Sequence, residues 1–199
     1  MVKKRRNSAV RQEQIIDAAR KLVVKYGSEH VTVGRIAKEV GISEGAIYRH
    51  FRSKREVLSG LADRIADDLL VDIKKTEISN CSSLEIIDSA LSSHLSAIQQ
   101  RKGISFLVIA EIVSFGDKKL NRKVSSAIDE YIAGLQNLLS LGVKAGQIKP
   151  GTDTEAVAIL LFGMIQGLVN IWALGNYSFE LQEKYSQLWK VLRDSIIKR

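Results

Sequence analysis

Apolar residues return every three or four positions along most of this chain, a spacing that predicts helices from one end to the other. Between residues 9 and 26 they fall at Ile15, Ile16, Ala19, Leu22, Val23 and Tyr26, a single stripe that Gly27 stops. Thr32 suits the N-cap of a shorter helix whose inner face is Val33, Ile36, Ala37 and Val40, and Gly41 ends it. Gly41-Ile42-Ser43 then leads into a very short third helix with Ile47 and Phe51 turned inward. Ser53-Lys54-Arg55-Glu56 reads as a capping box opening a long helix, with Val57, Leu58, Leu61, Ile65, Leu69 and Ile73 on its inner face. Further helices are expected at 84–100, 104–115, 119–144, 153–174 and 179–197. Gly146-Gln147-Ile148-Lys149-Pro150-Gly151 forms a strong break, and Thr152-Asp153-Thr154-Glu155 a second capping box. The expected fold is all-α: an N-terminal three-helix bundle with a helix-turn-helix in residues 1–60, then a larger helical domain in residues 61–199.

Two short helices joined by a glycine-containing turn, completed by a preceding helix, describe a helix-turn-helix. Its third helix has only to present a few residues to a major groove. Gly45 and Ala46 let the backbone approach the bases, while Ile47 and Phe51, four apart, anchor the helix inward. Tyr48, Arg49 and His50 then splay outward, where Arg49 can reach a guanine edge with two hydrogen bonds and the others can hold phosphates. Outside such a motif, Tyr48 reads as a half-buried core residue with its hydroxyl in water.

Charge sharpens this picture once it is located. The net +8 lies entirely in residues 1–60, which hold 14 Lys and Arg against 6 Asp and Glu, whereas residues 61–199 hold 16 of each. A basic head on a neutral body suits a polyanion-binding module joined to a part with another task; a solvated basic face is the alternative on charge alone. Lys3-Lys4-Arg5-Arg6 is expected to be a disordered basic end, able to trail into a minor groove. The single cysteine, Cys81, excludes an internal disulfide and a cysteine-rich zinc module, and no basic neighbour lowers its pKa. No apolar leader follows Met1, so a reducing cytoplasm is the expected compartment.

Residues 11–58 resemble the DNA-binding domain of the TetR family of one-component transcriptional regulators. The resemblance rests on IIDAARKLVVKYG followed by VTVGRIAKEVGISEGAIYRHFRSKREVL, with Thr32, Ile36-Ala37, Gly41, Tyr48, Phe51, Lys54 and Leu58 in family order and no gap. It implies base contacts from Glu44, Gly45, Ala46 and Arg49, and phosphate contacts from Thr32, Tyr48, His50 and Lys54. Two positions sit awkwardly in that pattern. Gly34 lies inside a helix, at about 1 kcal/mol relative to alanine, and Glu44 puts a carboxylate next to a polyanion. Glu44 is suited either to a helix N-terminus or to accepting from a cytosine amino group.

The segment 156–175, AVAILLFGMIQGLVNIWALG, carries no charge and is long enough to span a bilayer. Amphipathic neighbours and the capping box before it favour a helix buried on two sides, by its own domain and by a second subunit. The final helix adds a broad stripe of Leu181, Tyr185, Leu188, Trp189, Leu192 and Ile196. The resemblance implies a homodimer through an intersubunit four-helix bundle of these two helices; closing the monomer core is the alternative. A small, largely apolar effector is expected in the body, with Phe106 and Ile109 lining its site and Gln166 and Asn170, one turn apart, fixing its polar end. Those two amides are equally suited to a buried network with each other or with the partner subunit. The signal would travel along the helix that starts at Ser53, changing the separation of two heads that must match ~34 to 36 Å on the duplex.

No Gly-rich phosphate loop, Ser-His-Asp signature or carboxylate pair flanked by histidine is present in the sequence, and the three histidines are too far apart to suggest a metal site, so no cofactor is expected. The function classes in play are a ligand-responsive repressor of a near-palindromic operator, a constitutive DNA-organising protein without effector, and a helical enzyme with an unrecognised site.

Overall fold

The computed structural model describes residues 2–27, 30–74, 82–100 and 117–198, with the backbone alone at 2–7, 65, 66 and 68–74. Among these residues the chain forms eight helices: α1 Val2–Tyr26, α2 Val33–Val40, α3 Glu44–Tyr48, α4 Lys54–Lys74, α5 Ser83–Gln100, α6 Lys118–Lys144, α7 Thr154–Leu174 and α8 Leu181–Ile196. The expected helix at 104–115 lies outside the described residues, as do Phe106 and Ile109. The fold is all-α, and the only strand-like pairing among the described residues is a single bridge between Ile148 and Ile197.

Two compact units emerge, one of residues 1–65 with 107–124, the other of residues 66–106 with 125–199. The expected division at 60/61 falls within α4, which contributes residues to both units. The first turns of α6 join the first unit through ion pairs that no composition reveals. Arg55 meets Asp117 at 2.6 Å, and Lys123 reaches both Asp63 and the hydroxyl of Ser59. Arg55 holds the Asp117 carboxyl below the ordinary carboxylate range, helped by the Lys119 and Leu120 backbone N–H groups that cap α6 on it.

In the first unit, Ile15, Ala19, Leu22 and Val23 of α1, Ile36 and Ala37 of α2, Ile47 and Phe51, and Val57, Leu58 and Leu61 of α4 form the core. Tyr26 departs from the predicted stripe. It is 45% exposed and lies under two cations, Lys25 at 5.0 Å and Arg35 at 5.5 Å from the ring centre. Helix α1 also begins earlier than expected, at Val2, so residues 3–6 lie in its first turns and do not form the disordered end. Their stretch holds neither glycine nor proline, and lysine and arginine are good helix formers.

In the second unit, α5 and α8 pack together through a polar seam as well as apolar faces. The Gln182 amide donates to the Ser92 carbonyl at 2.9 Å and to the Ser96 hydroxyl at 2.8 Å, while its oxygen accepts from Ser92 at 3.1 Å. Tyr185 is buried and donates to the Asp88 carboxylate at 2.7 Å. Burial, reinforced by Asp88, pushes its hydroxyl pKa far up, so it stays a donor throughout the working range. Helix starts also differ in detail from the sequence patterns. The α7 cap is Asp153, whose carboxylate accepts from the Ala156 N–H at 3.0 Å, while the Thr152 hydroxyl turns back to the Lys149 carbonyl. A reciprocal box between Ser82 and Glu85 opens α5. Tyr185→Phe removes one hydrogen bond to a charged acceptor while keeping the ring. It should lower unfolding free energy by ~1 to 3 kcal/mol. Urea denaturation measures this, and an unchanged midpoint would show that the α5–α8 seam does not depend on the bond.

Candidate functional site

The turn between α2 and α3 is set by Gly41, which sits in the left-handed region at φ 76° as the C-cap of α2. Its N–H bonds to the Lys38 carbonyl, and the Ile42 N–H bonds to the Ala37 carbonyl at 2.9 Å, closing the end of α2. Ser43 then caps α3 by accepting from the Ala46 N–H at 3.3 Å. Ile47 and Phe51 are buried, as their spacing predicts, and Tyr48 is 53% exposed on the opposite side. Arg49, the C-cap of α3, is exposed, as are Glu44 and Gly45, with Ala46 half-buried.

The structure therefore leaves Gly45 and Tyr48 of a five-residue helix, and Arg49 at its C-cap, exposed, with Ala46 half-buried among them. Thr32 is exposed at the N-cap of α2, where its side chain already accepts from the Arg35 N–H. Lys54 stands half-buried at the start of α4. His50 is also half-buried, with its Nδ1 3.3 Å from the Ser8 hydroxyl on α1, so its ring is partly engaged inside the unit. Glu44 is turned toward α2: a Cβ built on Gly34 would lie 2.7 Å from the Glu44 Oε1.

A cleft of about 860 Å³ lies within this first unit, lined by Lys54, Arg55, Asp117, Lys118, Lys119 and Arg122 around Leu58 and Leu120. Five cations outnumber the one carboxylate in this lining, which Arg55 already engages, so its polar rim is basic.

The second unit holds a different grouping. His94 on α5 is 5% exposed, and its Nδ1 lies 3.0 Å from the Tyr131 hydroxyl on α6. The Tyr131 ring meets Phe162 of α7 edge-on at 5.8 Å. One turn further along α7 is Gln166, whose Oε1 is buried without a hydrogen-bond partner, and Asn170 follows half-buried after another turn. A predicted Gln166–Asn170 bond is thus not what satisfies the Gln166 oxygen. The His94–Tyr131 contact is not legible in the sequence, where a single histidine in a helical stripe shows no partner.

The outer face of α7 is apolar and open. Leu160, Gly163, Gly167, Ile171 and Leu174 recur at three- and four-residue steps, with Leu160, Ile171 and Leu174 at 56%, 63% and 86% exposed. The inner face, Ala158, Leu161, Ile165, Leu168, Val169 and Trp172, packs in the core of the second unit. By length and composition α7 is apolar enough to cross a membrane, but a packed inner face marks it as a core helix with one side uncovered. On α8, Leu188 of the apolar stripe lies 41% exposed, with Val191 at 72%.

A capped recognition helix on a three-helix head, joined to a helical body, defines a helix-turn-helix transcriptional regulator. Residues 15–61 match the model for bacterial regulatory proteins of the tetR family, and residues 62–195 match that for the C-terminal region of YsiA-like proteins. The chain belongs to the TetR family. It is 24% identical over 168 residues to the fatty acid metabolism regulator protein of Bacillus subtilis, covering 84% of this chain and 86% of that one. It is equally 24% identical over 184 residues to the nucleoid occlusion factor SlmA of Photobacterium profundum, covering 92% and 93%. The fold superposes on FadR from Bacillus subtilis in complex with stearoyl-CoA with a TM-score of 0.74 at 24% identity, over 90% of this chain and 96% of that one.

Gln166→Met tests the meaning of the orphaned oxygen. Replacing an unsatisfied buried acceptor by a thioether of similar length should leave stability unchanged or raise it by up to ~1 kcal/mol. A loss of more than that in thermal unfolding, together with loss of the dimer, would mean that the oxygen is bonded across a subunit interface.

Proposed function

We propose that this regulator is a ligand-responsive repressor. Residues 1–60 bind a near-palindromic operator, and residues 61–199 dimerise and hold a largely apolar effector that releases the DNA. The observation that carries the DNA-binding part is α3, a capped helix with a buried inner side and Tyr48 and Arg49 turned outward. Arg49 reads a guanine, Gly45 and Ala46 allow close approach, and Thr32, Tyr48 and Lys54 hold phosphates. His50 contributes by fixing the end of α3 to α1 through Ser8, beside any phosphate contact.

The effector reading rests on the unsatisfied Gln166 oxygen beside the Phe162–Tyr131–His94 series, a few polar groups in an otherwise apolar region. Phe106 and Ile109 lie outside the described residues, and their part in this proposal rests on the sequence alone. Kinship with a fatty acid metabolism regulator, and a fold shared with a regulator solved with stearoyl-CoA, support an acyl conjugate as the effector class. Coupling runs along α4 and α6, each of which contributes residues to both units. The protein works in the cytoplasm, where its operator is. The equal similarity to a nucleoid occlusion factor supports a second reading, DNA binding without an effector. Titrating a protein–operator complex with acyl-CoA thioesters of increasing chain length separates the two. Release only by long chains supports the first, and no release by any of them leaves the second.

Operator selection with the purified protein tests the head. Arg49→Ala should weaken binding by ~1 to 3 kcal/mol and relax base preference at one position per half-site. Lys54→Ala should weaken all sequences about equally and flatten the salt dependence of binding. Unchanged affinity and preference in Arg49→Ala would mean that α3 is not the reading helix.

The apolar stripe on α7 and the exposed Leu188 are assigned to the second subunit. A carboxylate at Gly167 meets open space in one protomer, since nothing lies within 4 Å of a Cβ there. Gly167→Asp and Leu188→Asp should therefore leave each protomer folded while burying an unpaired charge in the dimer, at several kcal/mol. Sedimentation should report monomers. A tight dimer that still binds operator would remove this face from the interface.

A further inference from the structure

Glycine within α2 and a carboxylate at the first position of the reading helix are each unfavourable when considered alone. The structure joins them. A Cβ on Gly34 would come within 2.7 Å of the Glu44 Oε1 and 3.4 Å of its Cδ, so the volume an alanine methyl would need is already filled by the Glu44 carboxyl group. Helix α2 has no acidic residue in its own first turn, and its Thr32 cap accepts only from the Arg35 N–H. The positive end of the α2 dipole is thus offered an anion from another helix. Because Glu44 is also the first residue of α3, its carboxylate stands beside the N-terminal turns of both helices.

We infer that Glu44 is a positioning residue, its carboxylate seated over Gly34 so that it fixes the entry of α3 against α2 and keeps its charge away from the bases. This rests on α3 being the reading helix. Three residues, Gly41, Ile42 and Ser43, join the two helices, and a contact across their open ends limits how α3 pivots about that turn. The same contact restrains a side chain that would otherwise extend toward a polyanion. Gly34 is the residue that makes room, and any side chain there displaces the flexible end of Glu44 outward.

A double-mutant cycle read by operator affinity and by base-preference profile tests this, with Arg49→Ala as the control for the reading helix itself. Gly34→Ala should weaken operator binding ~5- to 10-fold in the otherwise unchanged protein and less than ~2-fold in the Glu44→Ala background, the signature of two coupled positions. Glu44→Ala alone should leave the preference at every base position intact. Thermal unfolding of Gly34→Ala should show a folded protein, since alanine favours the helix. Relaxed preference at one position in Glu44→Ala, while Arg49→Ala relaxes another, would make Glu44 a base reader and overturn the inference. So would a Gly34→Ala effect that is absent, or that persists undiminished without Glu44. An Arg49→Ala variant with unchanged preference would remove the reading-helix assignment, and this inference with it.

Discussion

A helix of five residues cannot sustain itself. Nucleating its first turn fixes several dihedral angles for a single hydrogen bond, and α3 ends before propagation can offset that cost. Its conformation is held from outside: by the Ser43 cap, by Ile47 and Phe51, only 1% and 7% exposed, and by the left-handed turn at Gly41. Nothing lies within 4 Å of a Cβ at Gly41, so the demand for glycine there is conformational and not steric. At Gly34 the demand is the reverse, because the backbone is helical and the space is taken. The aim of Arg49 thus depends on core packing, a cap and two glycines of different kinds.

The body follows the opposite logic. Its helices are long enough to need little help, and its apolar content exceeds what one unit can bury, which leaves Leu160, Ile171 and Leu174 uncovered. Against that background, the polar groups inside are informative by whether they are satisfied. Gln182 uses both ends of its amide, bridging to Ser92 and Ser96, and behaves as a structural clasp between α5 and α8. Gln166, of the same chemical type, has a buried oxygen with no partner. A buried acceptor left unpaired costs ~1 to 3 kcal/mol, and a hydrophobic residue in its place would avoid that cost.

The head was legible in the sequence because each of its elements is set by local chemistry. Thr32, Ser43 and Gly41 act within a few residues of themselves, and Ile47 with Phe51 needs only the helical repeat. What escaped depends on partners distant in sequence. The Ser8–His50 contact spans the whole head, the Arg55–Asp117 pair recruits the start of α6 to the first unit, and His94 finds Tyr131 across a helix pair. Periodicity misjudged Tyr26 for a related reason: it marks a face as apolar without showing whether anything covers it. The neighbouring cap signals at 152 and 153 were separated only by geometry, since threonine and aspartate both suit the position and the carboxylate won the Ala156 N–H.

Switching sets a quantitative demand on the effector. Binding to DNA and to effector are reciprocal, so the ligand can release the operator only by the free energy with which it prefers the released state. Carrying a mixture from 1:99 to 99:1 takes ~5.5 kcal/mol. Satisfying the Gln166 oxygen contributes ~1 to 3 kcal/mol of that at most, and only if the bond is made in one state and not the other. The remainder is of order 3 kcal/mol, and α7 itself carries no charge beyond Glu155. In the proposed apolar site, burial at ~0.8 kcal/mol per methylene would supply it with about four methylenes buried in the released state and not in the bound one. A short polar metabolite lacks that surface, whereas a long acyl chain has it several times over.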